Sequence, residues 1–502
     1  MVKSKLSNVR VTYSGLVAFV TGLISVLTGL VFTLIVTRTL SPEEFGTWSV
    51  IGTLIIYLLV SESVISFFTT RQLARGDDVG KTSLISSSIF SVGILPIYLV
   101  VVYFLAGQSN AHLHSMILGV MLVPVYYVSQ TLVGINLSHK PQSVSYGLLI
   151  FEIGKIPAAL FLVNLLEWGL DGAIIAVTIA YILRVLIQLY FAKPKLVNSF
   201  NVNYLKRWIR LSWVAVYSTS TRLSESLDIV IYPIITGSVI GVAFFSVSLT
   251  IASLVVHSSL IAQALAPKLL SKGNLDHIPN TLTLTLYFAI PLLGISMLFS
   301  KAGLFALNPL YESAYLIAIL LSVKTFFFVL VQIFRSILQS LDTADVENKP
   351  RFTTLLQSKL FLIPSGRYIH SFLYLASLSV ILVFLHSSNT DELEIVTWWS
   401  ILSVSFEIPF FIFMVFLLKR SVRFSISLFS IMKYVFATVI FSIIFMLTSD
   451  YIINYKLSIF EYLPSLFLEL LLCIVVYFGI TFLIDLKTRN LITTIIHEIK
   501  NK

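Results

Sequence analysis

The sequence predicts an all-α polytopic membrane protein with about fourteen transmembrane helices. Of its 502 residues, 57% are hydrophobic and only 12% are charged, whereas charged residues make up about 25% of a typical soluble domain. The mean hydropathy is +0.94. Apolar stretches of about 20 residues, the length that a helix needs to cross the hydrocarbon core of a bilayer, recur along the whole chain.

The fourteen predicted spans are joined by connections that are too short to fold as extramembrane domains. They cover residues 12–37, 45–68, 82–106, 115–136, 145–165, 170–192, 211–235, 239–264, 279–300, 308–334, 368–388, 393–418, 428–449 and 462–484. The mixed segment 342–367 leaves the start of the eleventh span open. Within it, 352–363 forms either an amphipathic helix on the cytoplasmic surface or the beginning of that span.

The distribution of positive charge predicts the topology. With the N-terminus in the cytoplasm, 27 of the 34 Lys and Arg residues fall in cytoplasmic segments, and only Arg38, Lys301 and Lys456 fall in outer loops. This bias is the positive-inside pattern of multi-pass proteins. We therefore expect a cell-membrane protein with both termini cytoplasmic. The net charge of +10 reflects this topology, and no motif indicates nucleic-acid binding.

The long basic connection 193–210 predicts a division into two lobes. Residues 1–192 form an N-terminal lobe with spans 1–6, and residues 211–418 form a C-terminal lobe with spans 7–12. Residues 419–502 hold the last two spans and a cytoplasmic tail. A weak repeat at an offset of 197 aligns residues 41–50 with 238–247. Both copies begin in the cytoplasm, so the lobes are predicted to be parallel repeats, as in some transporters.

Three charged residues lie near the middle of the seventh span, 211–235. Arg222, Glu225 and Asp228 would fall within an arc of roughly 120° on a continuous helix. Charges inside a membrane usually face a bundle interior or a watery cavity. Two interpretations remain open: an internal salt bridge between Arg222 and Glu225, or a helix that lines a polar pathway.

Three further cations lie inside spans: Lys155, Arg184 and Lys324. Lys155 stands three residues after Glu152, and we expect these two to pair. For Arg184 and Lys324 the alternatives are a cross-helix ion pair or, for Arg184, snorkelling to the membrane surface. With Arg222, the set predicts a cationic cavity that selects an anion, and arginine is suited to bidentate contact with phosphate.

Enzyme and metal motifs are not found in the sequence. The chain has one cysteine, Cys473, so no thiol metal site is expected. His112 and His114 lie in an outer loop and do not have metal-ligand spacing. There is no phosphate-binding Walker sequence. We therefore expect a protein that is not an enzyme and has neither a metal site nor a cofactor.

The connection between the first two spans carries a recognisable motif. The stretch RTLSPEEFGTW, Arg38–Trp48, resembles the Arg-x-Leu-x-x-Glu-Glu-aromatic-Gly pattern of polysaccharide-biosynthesis flippases, the O-antigen type of lipid-linked oligosaccharide flippase. These belong to the multidrug/oligosaccharidyl-lipid/polysaccharide exporter superfamily. Weaker matches are Arg71–Ala74, Asp228, Gly237–Ser246 and Ala266-Pro267. The chain departs from the family pattern at Glu62-Ser63, where an Asp followed by a Gly is expected.

This resemblance implies a flippase for oligosaccharide carried on a polyprenyl phosphate or pyrophosphate. Alternating access would move the headgroup across the cytoplasmic membrane for surface polysaccharide or glycoprotein glycan assembly. The cationic cavity would hold the headgroup. Asp228, Glu225 and Glu152 are the candidate cavity acids for coupling to the membrane potential, H⁺ or Na⁺. Membrane lipids and glycan-assembly enzymes are the other expected partners.

Two other functions stay open. A multidrug or cation antiporter of the same superfamily would need an acidic cavity and usually an acid in the first span, and residues 12–37 contain none. A membrane-embedded glycan polymerase or glycosyltransferase would need a large outer loop with catalytic acids or histidines.

Overall fold

The predicted all-α polytopic membrane architecture is confirmed. The computed structural model describes residues 11–224, 226–264, 277–341, 358–422, 428–485 and 489, and every regular element in these ranges is helical. Twelve helices in this part of the chain are long and apolar enough to cross a membrane. Helix α1 matches the predicted first span, and the predicted seventh span is divided between two helices.

The helices follow the predicted spans closely. The first ten are α1 (Val11–Thr39), α2 (Pro42–Arg75), α3 (Gly80–Gln108), α4 (Leu113–Leu118), α5 (Leu122–His139), α6 (Gln142–Ala159), α7 (Gly169–Ala192), α8 (Val202–Arg210), α9 (Ser212–Leu223) and α10 (Asp228–Thr236). The others are α11 (Ile240–Ala252), α12 (His277–Leu298), α13 (Ser300–Leu307), α14 (Tyr315–Ser340), α15 (Lys359–Ser387), α16 (Glu392–Ser421), α17 (Leu428–Ile452) and α18 (Ile459–Ile484). Leu160–Leu165 extends α6 as a π-helix.

Large apolar side chains on the outer helices are exposed. Examples are Phe384 (67% exposed), Phe416 (61%), Leu447 (67%) and Phe460 (87%). In water such a surface would be an aggregation hazard. In a bilayer it is the expected outer face, because lipid tails are as apolar as these side chains.

The seventh span is not the continuous helix that the sequence predicted. Helix α9 ends at Leu223 and α10 begins at Asp228. Between them, the Ser224 and Ser226 hydroxyls donate to the carbonyls of Thr221 (3.1 Å) and Leu223 (3.2 Å), and the hydroxyl of Tyr57 on α2 also donates to Leu223. These side chains satisfy carbonyls at the end of α9. Ser224 and Leu227 keep right-handed helical dihedral angles, so the interruption is a tight turn.

The motif between the first two spans has a structural explanation. Ser41 caps α2, and its backbone N–H donates to Glu44 in a reciprocal capping box. Glu44 also accepts a hydrogen bond from the backbone N–H of Leu170 at the start of α7 (3.3 Å). Gly46 lies directly against the backbone carbonyl of Val239, and any side chain there would clash. The motif therefore sets where α2 begins and how closely it approaches the segment before α11.

The chain forms two compact units by internal contacts. The first comprises residues 1–243 and 379–389, and the second comprises residues 244–378 and 390–502. In the first unit, α9 and α10 pack against α2, and α10 also packs against α3. The division into lobes of residues 1–192 and 211–418 stays a prediction.

The eleventh span begins earlier than predicted. Helix α15 starts at Lys359, so 359–363, the end of the ambiguous segment, belongs to the span helix. Residues 342–357 lie outside the described residues. Arg367 was counted among the 27 Lys and Arg residues of the cytoplasmic segments, just before the predicted eleventh span. That placement was wrong, because Arg367 lies within α15 and its side chain is only 4% exposed. A carboxylate on α16 neutralises its charge, which permits this burial.

Candidate functional site

A buried charged cluster lies in the first unit, centred on Glu152 of α6. The Lys155 ammonium is 2.7 Å from the Glu152 carboxylate, and both residues are buried. The hydroxyls of Ser25 and Thr28 on α1 donate to the two oxygens of the same carboxylate, at 2.7 and 2.8 Å. The predicted pairing of Glu152 with Lys155 is confirmed. The carboxylate holds α1 and α6 together through charge-assisted hydrogen bonds.

Aromatic rings enclose the ammonium of Lys155. The Nζ atom lies 5.0 Å from the ring centroids of both Phe32 and Phe151, within cation–π range. Lys155 is only 7% exposed. A carboxylate and two rings therefore surround this cation, and an incoming anion would have to displace Glu152 to reach it.

Arg184 lies on the inward-facing stripe of α7 and is half-buried. Its guanidinium is 5.8 Å from the ring centroid of Tyr181, and that ring contacts the ring of Tyr126 on α5 at 4.0 Å. The buried Nε atom has no hydrogen-bond partner. The guanidinium forms a side-chain hydrogen bond with Tyr181, and Tyr126 and Glu152 are further electrostatic neighbours, but no described residue forms a salt bridge with it. Unlike Lys155, Arg184 therefore has donor capacity left for an anion.

Asp228 of the seventh span lies in the first turn of α10. Asp228 is 3% exposed, and its carboxylate accepts a hydrogen bond from the backbone N–H of Ile229 at 2.8 Å. An acid is favoured there, because the N-terminal end of a helix carries partial positive charge. Arg222 belongs to α9, so Arg222 and Asp228 do not share one continuous helix. Glu225 lies outside the described residues, and its pairing with Arg222 stays a prediction.

Lys324 lies on α14 in the second unit and is half-buried. None of the described residues forms a hydrogen bond or an ion pair with its ammonium. A cation in an apolar span is costly unless something compensates its charge. Lys324 is therefore still a candidate for contact with an anionic substrate.

The second unit also contains a buried ion pair that the sequence analysis missed. The Arg367 guanidinium contacts both oxygens of Glu407 on α16, at 3.2 and 3.1 Å. It also lies over the ring of Phe410 at 4.7 Å. The signal in the sequence was Glu407, an acid in the twelfth span with no local cation. Arg367 went unrecognised because the predicted boundary of the eleventh span lay one residue beyond it.

Two more buried acids have hydroxyl partners and no cation in the part of the chain that the structure describes. Glu62 of α2 accepts from Thr131 on α5 (2.8 Å) and from Ser66 (3.2 Å). Glu469 of α18 accepts from Thr448 on α17 (2.6 Å) through one oxygen, and its other oxygen has no hydrogen-bond partner. Both acids were visible in the sequence as charges inside spans, but their partners come from other helices.

The predicted site residues fall into distinct groups. The structure brings Glu152 and Lys155 into one cluster, with Arg184 as an electrostatic neighbour. Asp228 lies on another helix of the same unit, and Lys324 lies in the second unit. Among the residues that the structure describes, no group of three or more His, Cys, Asp or Glu side chains is arranged to hold a metal ion.

Solved structures with the same fold are membrane transporters. The lipid II flippase MurJ, in an inward closed conformation, matches 95% of this chain and 100% of its own, with a TM-score of 0.66 and 13% identity. An inward-facing multidrug resistance MATE family transporter of the MOP superfamily matches 79% of this chain and 95% of its own, with a TM-score of 0.56 and 15% identity. No family model matches the chain, and no curated protein sequence is similar to it.

Proposed function

We propose that this protein is a flippase that translocates oligosaccharide linked to polyprenyl phosphate or pyrophosphate across the cytoplasmic membrane. Transport would proceed by alternating access and would supply surface polysaccharide or glycoprotein glycan assembly. The observation that carries the proposal is the fold shared with a lipid II flippase over almost the whole chain. The motif at Arg38–Trp48, which resembles polysaccharide-biosynthesis flippases, supports it independently.

The chemistry of the span cations supports an anionic substrate. Arg184 and Lys324 are both half-buried, and neither is in a salt bridge with a described residue. A phosphate group would compensate their charges, and the guanidinium offers the planar pair of donors that phosphate accepts. Lys155 is already neutralised by Glu152. We therefore propose Arg184 in the first unit and Lys324 in the second as separate candidates for phosphate contact. Arg222 stays a candidate from the sequence, and Lys155 positions α6.

Buried acids are the candidates for energy coupling. Asp228 lies in the first turn of α10, where the helix carries partial positive charge, and Glu225 precedes it by three residues in the sequence. Glu152 is less suited to release or bind a cation in this conformation, because it already accepts three donors. Coupling to H⁺, Na⁺ or the membrane potential would act through Asp228 or Glu225.

The decisive experiment is a profile of lipid-linked oligosaccharide in a strain that lacks this protein. We expect the intermediate to accumulate facing the cytoplasm, where an added impermeant glycosidase cannot reach it in intact cells. Complementation by Arg184→Ala or Lys324→Ala should fail at normal protein abundance. Lys301→Ala, which removes an exposed cation outside the spans, is the matched control and should complement. A normal profile in the deletion strain would refute the proposal.

A multidrug or cation antiporter is the second candidate function. The observation that favours it is Glu62, a buried acid with only hydroxyl partners among the described residues, which is an environment suited to a cation. The MATE transporter with the same fold points in the same direction. Drug sensitivity of the deletion strain with an unchanged oligosaccharide profile would favour the antiporter. A membrane-embedded glycan polymerase or glycosyltransferase is less consistent with a fold shared with transporters.

A further inference from the structure

Helix α8 lies between the sixth and seventh spans and packs against α2 and α3 in the first unit. Trp208 is fully buried, its ring is parallel to that of Phe68 at 6.4 Å, and its Nε1 donates to Gln72 on α2 at 3.1 Å. The backbone N–H of Asn201 donates to Thr82 on α3 at 3.0 Å. The inward face of α8 therefore has a defined partner, and the orientation of its outward face is set.

The outward face of α8 combines positive charge with exposed apolar side chains. Lys206, Arg207 and Arg210 are exposed, and none of them forms an ion pair with a described residue. Val202 is 46% exposed and Ile209 is 53% exposed. At 100° per residue, Val202 and Ile209 lie side by side and border the stripe formed by Lys206 and Arg210. One helix face therefore offers an apolar edge beside a cationic edge.

The connections of α8 place it at a membrane boundary. The chain reaches it from the last residue of α7 through a short segment and continues directly into α9, so it lies at the ends of two spans. Trp213, in the first turn of α9, is 51% exposed, and tryptophan is enriched at membrane–water interfaces. The charge distribution assigns this end of the spans to the cytoplasmic leaflet.

We propose that the outward face of α8 is a binding surface for anionic phospholipid headgroups of the adjoining leaflet. The lipid phosphates would contact Lys206, Arg207 and Arg210, and the upper acyl region would cover Val202 and Ile209. A soluble acidic protein or free phosphate would compensate the charges but leave the apolar edge in water. Only the boundary between headgroups and acyl chains satisfies both edges at once. This surface is independent of the transported substrate.

A fluorescence experiment tests this binding without any substrate. A fluorophore on Asn203→Cys would report contact with brominated lipids, and the native Cys473 is fully buried and does not compete for the label. Brominated phosphatidylglycerol should quench the label at a lower lipid fraction than brominated phosphatidylcholine. Each cation contributes about fivefold to the preference for anionic lipid, from about 1 kcal/mol per charge. Lys206→Gln with Arg210→Gln should therefore reduce the preference about 25-fold.

The controls separate this surface from general charge effects. Lys419→Gln with Arg420→Gln removes the same charge at the end of α16 and should leave the preference unchanged. Raising the salt concentration should weaken the preference of the unchanged protein for anionic lipid. This measurement does not depend on the folding of any variant. Equal quenching by the two lipids, or equal effects of the two double variants, would overturn the proposal. Absence of quenching by either lipid would also overturn it, because the face would then be covered by protein or water.

Discussion

Breaking the buried pair Arg367–Glu407 should strongly destabilise the second unit. The two contacts of 3.2 and 3.1 Å form a bidentate pair, and the two side chains are 5% and 1% exposed. Glu407→Gln removes the carboxylate that contacts the buried guanidinium. Removing one partner of such a pair costs about 3–5 kcal/mol. Arg367→Met should cost a similar amount, because it removes the guanidinium that contacts the buried carboxylate.

The double variant Arg367→Met with Glu407→Met distinguishes the cost of removing one partner from the net contribution of the pair to stability. Replacing both partners by Met removes both desolvation penalties, so we expect stability within about 2 kcal/mol of the unchanged protein. The double variant should therefore be more stable than either single variant. This non-additivity is the signature of a direct interaction.

Thermal unfolding in detergent provides the measurement. A loss of 3–5 kcal/mol should lower the midpoint by about 10 °C for a unit of roughly 250 residues. The exposed pair Lys456–Glu461, with both side chains 57% exposed, is the matched control, and its single variants should lose less than about 1 kcal/mol. Equal effects at the two pairs, or a double variant as unstable as the sum of its singles, would refute the reasoning.

Three further predictions follow from individual contacts. Gly46→Ala should lower the thermal midpoint through a clash worth about 1–3 kcal/mol, whereas Gly52→Ala on the same helix, with open space around it, should not destabilise. Arg222→Ala should abolish complementation of the deletion strain while the protein stays at normal abundance, and Arg222→Lys should restore complementation only in part. If Arg222→Ala instead lowers the abundance of the protein, and adding Glu225→Ala restores it, the two residues form a structural pair. The hydrogen bond and the charge of the Glu312 carboxylate raise the pKa of Lys301 above its ordinary value. The stability that this pair contributes is therefore present at neutral pH and is lost only as the pH rises above about 10. The difference in thermal midpoint between the unchanged protein and Lys301→Gln should thus stay constant from about pH 6 to about pH 9, and a change within that range would contradict the assignment.

Features that depend on local sequence could be predicted, and features that depend on distant partners could not. Hydropathy located the spans because each helix must bury its own backbone polar groups in the bilayer. The Glu152–Lys155 pair was predictable because its members are one turn apart. Arg367 and Glu407 are 40 residues apart, and the sequence around each residue does not indicate the other as its partner.

The break in the seventh span shows the same limit. Its hydropathy is that of a continuous helix, and serine is common in membrane helices. At the break, the carbonyl of Leu223 accepts a hydrogen bond from the hydroxyl of Tyr57, which lies more than 160 residues earlier in the chain. The partners of Glu62 and Glu469 likewise come from other helices, so the acids could be located in the sequence but their environments could not.

The broken seventh span also constrains how the protein is assembled in the membrane. Helix α9 has 12 residues and α10 has 9, so neither reaches the ~30 Å needed to cross the hydrocarbon core alone at 1.5 Å per residue. The carbonyl of Leu223, at the end of α9, accepts a hydrogen bond from Tyr57 on α2. Crossing the bilayer therefore requires the two helices together, and both of them pack against α2.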